Sequence, residues 1–294
     1  ASIIRMFTDQ SAAVQEALVG GFVVFMMLSV GIDLSLDRIK AVFRRPRILA
    51  TALTANYLLV PVVFTVLFGV FDVDGMWAVG LMFVAVAPGG PVAGVLIQNA
   101  GGHLALGVSL IILMNLLNTV LTPLGFLALG ASTSANLPVL GMVKTIVMFQ
   151  LLPLAAAMSF RHLRPDAAKR IQPLIERADK LLLVVVAAAV LISELPRLST
   201  VPIGMIALCH CAVAVTMGLG WLVTPGDRSE RIAVAVATPY RSISVVLLLL
   251  ASWVRDMNAM LAAMTYSAAM LWMCLAASAW LGRHNPVIPR RSHH

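Results

Sequence analysis

One apolar run follows another from residue 17 to residue 282, with only short polar stretches between them. A run of about 20 apolar residues is what a helix needs to cross the hydrocarbon core of a bilayer. Nine spans are read, over 17–33, 48–70, 76–100, 103–128, 137–160, 180–196, 199–224, 231–252 and 257–282. In hydrocarbon every backbone polar group must find its partner within the chain, so runs of this kind leave helices as the solution. The balance of 60% hydrophobic to 12% charged residues gives a mean hydropathy of +0.95 and cannot clothe a soluble domain of this size. The expectation is an all-α polytopic membrane protein, a single transmembrane domain over residues 1–294 with no soluble domain attached. Because the runs continue along the chain, the first is not a signal peptide.

The net charge of +8 is gathered between the spans. "LSLDRIKAVFRRPR" at 34–47 has five basic residues and one acid, and 161–180 has six basic residues and three acids. With nine spans these loops and the tail with Arg283, Arg290 and Arg291 share one side, while Asp72, Asp74 and the uncharged "ASTSAN" occupy the other. Basic residues favour the cytoplasmic side. The expectation is therefore a multi-pass protein of the cell's inner membrane, N-terminus outside and C-terminus cytoplasmic. Orientation explains the positive charge, so nucleic acid is not an expected partner; membrane lipid and a small substrate are, in a monomer or weak homodimer. Segment 161–180 reads either as an amphipathic interfacial helix or as a solvated linker. Cys209, His210 and Cys211 are too close together on one helix to converge on a metal, and no metal or cofactor is expected.

Two spans are spoiled in the same way. "VAVA" at 84–87 is followed by Pro88, Gly89, Gly90 and Pro91; "VAVA" at 234–237 is followed by Thr238, Pro239, Tyr240 and Arg241. Each interruption is mid-span and a second apolar half follows it. Counted from the basic ends, one span runs inward and the other outward. That is the pattern of transporters built from inverted repeats, with their site at discontinuous helices. The repeats are placed over 17–128 and 137–282. Broken helix ends expose amides and carbonyls, which survive in a membrane only when buried in protein or lining a cavity. A pair of ordinary proline kinks is the plainer alternative.

The motifs "MMLSVGIDLSLDRIKAVFRRPR", "APGGPVAGVLIQNAGGHLALGVSL" and "LNTVLTP" resemble the bile acid:sodium symporter family, most closely over residues 26–123. The resemblance implies two inverted repeats, a panel and a core domain, and two discontinuous helices crossing in the core. The chain would be a divergent nine-helix bacterial-type member without the first helix of the first unit. The resemblance also implies two sodium sites, and here the chain departs. Ala93 and Gly94 stand where the family has Ser-Asn, Gly107 and Ile111 where it has Ser and Thr, and Ala235 and Pro239 where it has Glu and Gln. Asn56 matches a further family glutamine. None of the six substituted positions has a side-chain oxygen, so coupling through the family's two-sodium site is not expected.

Arg241 is the sharpest candidate. A charge at mid-membrane is costly and faces protein or a cavity. The acids Asp33 and Glu194 lie only at span ends, so a negatively charged substrate is the natural partner for its planar fork. Tyr240, Thr238, Ser242, Asn56, Asn115 and Asn118 complete the candidate substrate-binding set. Asn115 and Asn118, three apart on one face, read equally as interhelical hydrogen-bonding residues. His210 is the candidate proton carrier by depth.

The leading expectation is a secondary active or facilitative transporter of small organic anions, working by alternating access without the family's two-sodium site. The alternatives are a sodium-coupled symporter of bile-acid-like or other carboxylates, and a proton-coupled carrier resembling auxin-efflux proteins. No paired acids, nucleophile–base set or metal cluster supports an enzyme.

Overall fold

The structure is a computed structural model and describes residues 20–32, 43, 45–90, 92–130, 139–194 and 200–284. Asp33, Pro91, "ASTSAN", Arg290 and Arg291 lie outside the described residues. Every regular element among the described residues is helical. In chain order they are α1 (Gly20–Ile32), α2 (Pro46–Phe71), α3 (Gly75–Ala85), α4 (Ala93–Asn99) and α5 (Leu104–Gly130), then α6 (Leu140–Leu163), α7 (Pro165–Glu194), α8 (Ile203–Val223), α9 (Arg228–Ala237), α10 (Ile243–Val254) and α11 (Met257–Arg283). Helices α2, α6, α8 and α11 are each long and apolar enough to cross a membrane. The chain is an all-α, multi-pass membrane protein.

Spans 76–100 and 231–252 are each two helices, α3 with α4 and α9 with α10, parted at residues 86–92 and 238–242. Segment 161–180 is helical almost throughout. Only Arg164 is non-helical, and α7 starts at Pro165, well ahead of the apolar span read from 180. Proline is pre-organised for a first helical position, Asp166 complements the dipole, and Gln172 Nε2 donates to Glu176 Oε1 one turn on (2.9 Å). The polar sequence hides a helix that its local chemistry supports.

Among the described residues three helices have a π turn: Ala55–Leu59 in α2, Val147–Leu151 in α6 and Leu250–Val254 at the end of α10. The first two have one cause. Pro61 and Pro153 come two residues after the turn; each lacks an N–H and would press on the carbonyl four residues back. One extra residue in the turn relieves both problems, with Val60 N reaching Ala55 O and Leu152 N reaching Val147 O. The widened turns place Asn56 and Gln150, both buried, inside the bundle.

The main core joins α3, α8, α9, α10 and α11. Small residues set the closest approaches. A Cβ on Gly80 would lie 2.1 Å from Ala259 O, so α3 and α11 touch backbone to backbone. At the end of α9 nearest α2, Asp227 caps the helix by accepting from Glu230 N (2.9 Å), and the buried Glu230 carboxylate pairs with Arg45.

Candidate functional site

The two interruptions meet. Gly89 N and Gly90 N both donate to Tyr240 O, at 3.2 and 3.3 Å, and Ser242 N donates to Ala87 O at 2.8 Å. Pro88 and Arg241 form an antiparallel bridge. Glycine is required twice. Gly89 has φ +97°, a conformation that side chains disfavour, and a Cβ on Gly90 would sit 2.5 Å from Tyr240 Cδ1 and 2.7 Å from Arg241 O.

The carbonyls freed by the breaks are matched by side chains. On one face of α5, Asn115 Nδ2 donates to Gly89 O (2.7 Å), Asn118 Nδ2 to Pro88 O, and Thr122 Oγ1 to Val86 O (2.9 Å). From α11, Tyr266 Oη donates to Pro239 O (2.7 Å). Behind them, Tyr57 Oη lies 2.8 Å from Asn118 Oδ1 and 2.9 Å from Met114 O, its one proton serving either. Gln150 Nε2 on α6 donates to Asn115 O (2.9 Å). The breaks are thus held by a polar layer that an unsupported helix end in hydrocarbon could not have.

Arg241 lies within this layer and is 1% exposed. Its Nη1 donates to Ala85 O at 3.3 Å and, at the limit of bonding distance, to Asn56 O at 3.5 Å. Its Nε and Nη2 have no protein partner. The Tyr266 hydroxyl adjoins the guanidinium in side-chain contact, Tyr57 is a further electrostatic neighbour, and among the described residues Arg241 has no ion-pair partner. The other buried charge among the described residues, Glu230, is paired. Around the breaks four further buried atoms also lack protein partners: Asn56 Oδ1, Asn115 Oδ1, Gln150 Oε1 and Ser242 Oγ. A buried polar atom without a partner is costly, so five residues in this condition describe a region prepared for something polar.

Arg241, Tyr240, Ser242, Asn115, Asn118 and, through its backbone, Asn56 come together around the breaks. Thr238 does not present its hydroxyl there; the group bonds back to Val234 O (2.7 Å) and packs where α8 has Gly220. His210 lies within α8, half-buried, where its Nε2 accepts from Trp272 Nε1 (3.1 Å) and its Nδ1 lies 2.6 Å from Ile206 O. Both ring nitrogens are taken and no carboxylate relay adjoins it among the described residues. Tyr57, Thr122, Gln150 and Tyr266 were not singled out by sequence. A lone glutamine in an apolar span, "MFQLLP", was the available signal for Gln150.

The positions matched to the family's sodium ligands are packed by carbon. Ala93, Ile111 and Ala235 are buried; a Cβ on Gly107 would meet Ile97 Cδ1 at 2.5 Å, and one on Gly94 would lie 3.3 Å from Val108 Cγ2. No cluster of His, Cys, Asp or Glu able to hold a metal occurs among the described residues.

A profile described as the Sodium Bile acid symporter family matches residues 22–225, well over half of the chain. The match takes in the first interruption and stops before the second. A curated protein of Oryza sativa subsp. japonica, "Probable sodium/metabolite cotransporter BASS1, chloroplastic", is 29% identical over 100 residues. That alignment covers 34% of this chain and 25% of the rice protein. Two interrupted helices joined inside an apolar bundle, and a family match across most of its length, lead to one conclusion: the chain belongs to the Sodium Bile acid symporter family, whose members are membrane transporters and not enzymes.

Proposed function

We propose that this chain carries a small organic anion across the membrane by alternating access and binds it beside the joined interruptions. The observation that carries the proposal is the buried Arg241 guanidinium with two nitrogens lacking protein partners, in a layer that also holds unpartnered amide oxygens. A carboxylate meets such a fork with two charge-assisted hydrogen bonds. The wider frame is two inverted repeats, 17–128 and 137–282, forming a panel and a core in which α3–α4 and α9–α10 cross. The antiparallel bridge at Pro88 and Arg241, and the packing of α4 on α9 and of α3 on α10, support it. The N-terminus is outside and the C-terminus cytoplasmic, by the placement of the basic loops.

Sodium moves with the anion. The names of the family and of the rice relative support this coupling, as do four oxygens without protein donors, Asn56 Oδ1, Asn115 Oδ1, Gln150 Oε1 and Ser242 Oγ. Sodium is a hard cation that favours oxygen ligands, and broken helices in transporters serve cations through such groups. A second reading has its own observation. Ala93, Gly94, Gly107, Ile111, Ala235 and Pro239 supply no side-chain oxygen, and a fixed guanidinium stands two residues beyond Pro239. On that reading Arg241 does the electrostatic work of a bound cation.

Uptake of a panel of labelled carboxylates into proteoliposomes tests both, with and without an inward sodium gradient. Acceleration by the gradient supports symport. Uptake indifferent to sodium but abolished in Arg241→Ala supports the second reading. Wild-type uptake in Arg241→Ala sinks both.

A further inference from the structure

Away from the joined breaks, a cavity of about 670 Å³ opens at the end of the bundle where α8 ends, α9 begins and α11 ends. It is lined by Trp221, Gly226, Arg228, Arg231, Trp280 and Leu281. Arg228 and Arg231 are three apart, on one face of the first turns of α9. Arg228 is exposed, whereas Arg231 is half-buried with its Nε enclosed and lacking a protein partner. The acids of the same segment are engaged elsewhere. Asp227 caps α9, Glu230 pairs with Arg45, and neither lines the cavity. What remains is a cavity lined by two guanidinium groups and two indoles at the end of the apolar helices.

The geometry points to a binding site for an anionic phosphate group, supplied by the headgroup of a membrane phospholipid. Guanidinium forks match phosphate oxygens, indoles favour the headgroup level of a bilayer, and Leu281 with the tryptophan rings offers an apolar path for the start of an acyl chain. The cavity opens beside Trp280, which is 60% exposed and lies against His284 (ring centroids 4.9 Å apart) at the end of α11. An exposed aromatic wall of this kind suits a lipid better than a soluble ligand. The site sits on α9, the first half of an interrupted helix, so its occupant is positioned to hold that half-helix in place.

The test is lipid retention by the full chain, read by native mass spectrometry after purification from vesicles of phosphatidylcholine alone or mixed with phosphatidylglycerol. Retained phosphatidylglycerol with no retained phosphatidylcholine is expected. Arg228→Gln with Arg231→Gln should reduce retention about thirtyfold, at roughly fivefold for each basic side chain near an anionic headgroup. Arg47→Gln, at an exposed arginine outside the cavity, should leave it unchanged. If the double variant fails to fold, Arg228→Gln alone serves, because its side chain is exposed, with a roughly fivefold loss expected. Competition by inorganic phosphate or glycerophosphate at concentrations comparable to the lipid would overturn the lipid as source in favour of a free anion. Equal retention of both lipids, or retention unmoved by the arginine substitutions, overturns the site.

Discussion

Arg241 is the residue on which most depends. Burying a charge without a paired opposite charge usually destabilises a fold, and replacing it with an apolar side chain of similar volume is often neutral or stabilising. Arg241→Met is therefore expected to unfold at the wild-type temperature or above in detergent, while losing substrate binding. A marked fall in that temperature would assign the guanidinium to bracing Ala85 O and Asn56 O instead. Arg241→Lys keeps the charge and loses the fork, and uptake should fall at least about tenfold, because a point charge does not replace two aligned donors. At the other extreme of exposure, the Asp227 carboxyl is held below the usual carboxylate range, first by the hydrogen bond from Glu230 N and then by the Ser229 hydroxyl. A depressed value means the stabilisation is present above the ordinary carboxylate range and is lost as pH falls through the folded-state value. Asp227→Ala should cost about 1 kcal/mol at neutral pH, and Asp227→Asn should keep the cap and remove this acid dependence, both read by thermal melts at neutral and acid pH.

At the scale of the element, α5 braces the first break. Asn115, Asn118 and Thr122 lie on one face and hold three of the four carbonyls from Val86 to Gly89, those of Gly89, Pro88 and Val86; the fourth, Ala87 O, accepts from Ser242 N. Asn118→Leu leaves Pro88 O without its donor and costs about 1–3 kcal/mol, measurable by unfolding in detergent. Stability equal to wild type would mean that Tyr57 or another donor takes over. The spacing of the asparagines was legible in "MNLLNTVLTP", but a shared face does not say what it faces; the carbonyls belong to a segment 26 to 36 residues earlier in the chain. The π turns were hidden for a different reason. Pro61 and Pro153 signal a local disturbance, and only the packing around Asn56 and Gln150 decides between a kink and a widened turn. Hydropathy likewise misses the start of α7, because the charged residues that place it outside an apolar run are themselves good helix formers.

On the scale of the whole molecule, the membrane class and the paired breaks were legible because they rest on long apolar runs and on proline and glycine, the strongest signals a chain has. The crossing of the breaks came only from the family resemblance, since it joins segments far apart in sequence and no local signal carries it. The orientation proposed above has a direct check. In a background with Cys209, Cys211 and Cys274 changed to alanine, Asp74→Cys should react with a membrane-impermeant maleimide on intact cells, and Arg164→Cys should react only after the membrane is opened. The reverse pattern would invert the topology.

The bridge between Pro88 and Arg241 has a consequence for how the protein is made. The two residues are 153 positions apart (241 minus 88), so the first interrupted span enters the membrane long before its backbone partner has been synthesised. Until residues 240–242 arrive, Gly89 N, Gly90 N and Ala87 O lack their hydrogen-bond partners across the bridge. The first half is therefore born unfinished. Contacts of such long range form slowly, and the waiting half offers its open backbone to chaperones and proteases meanwhile. Chains that stall before residue 238 should be degraded rather than accumulate.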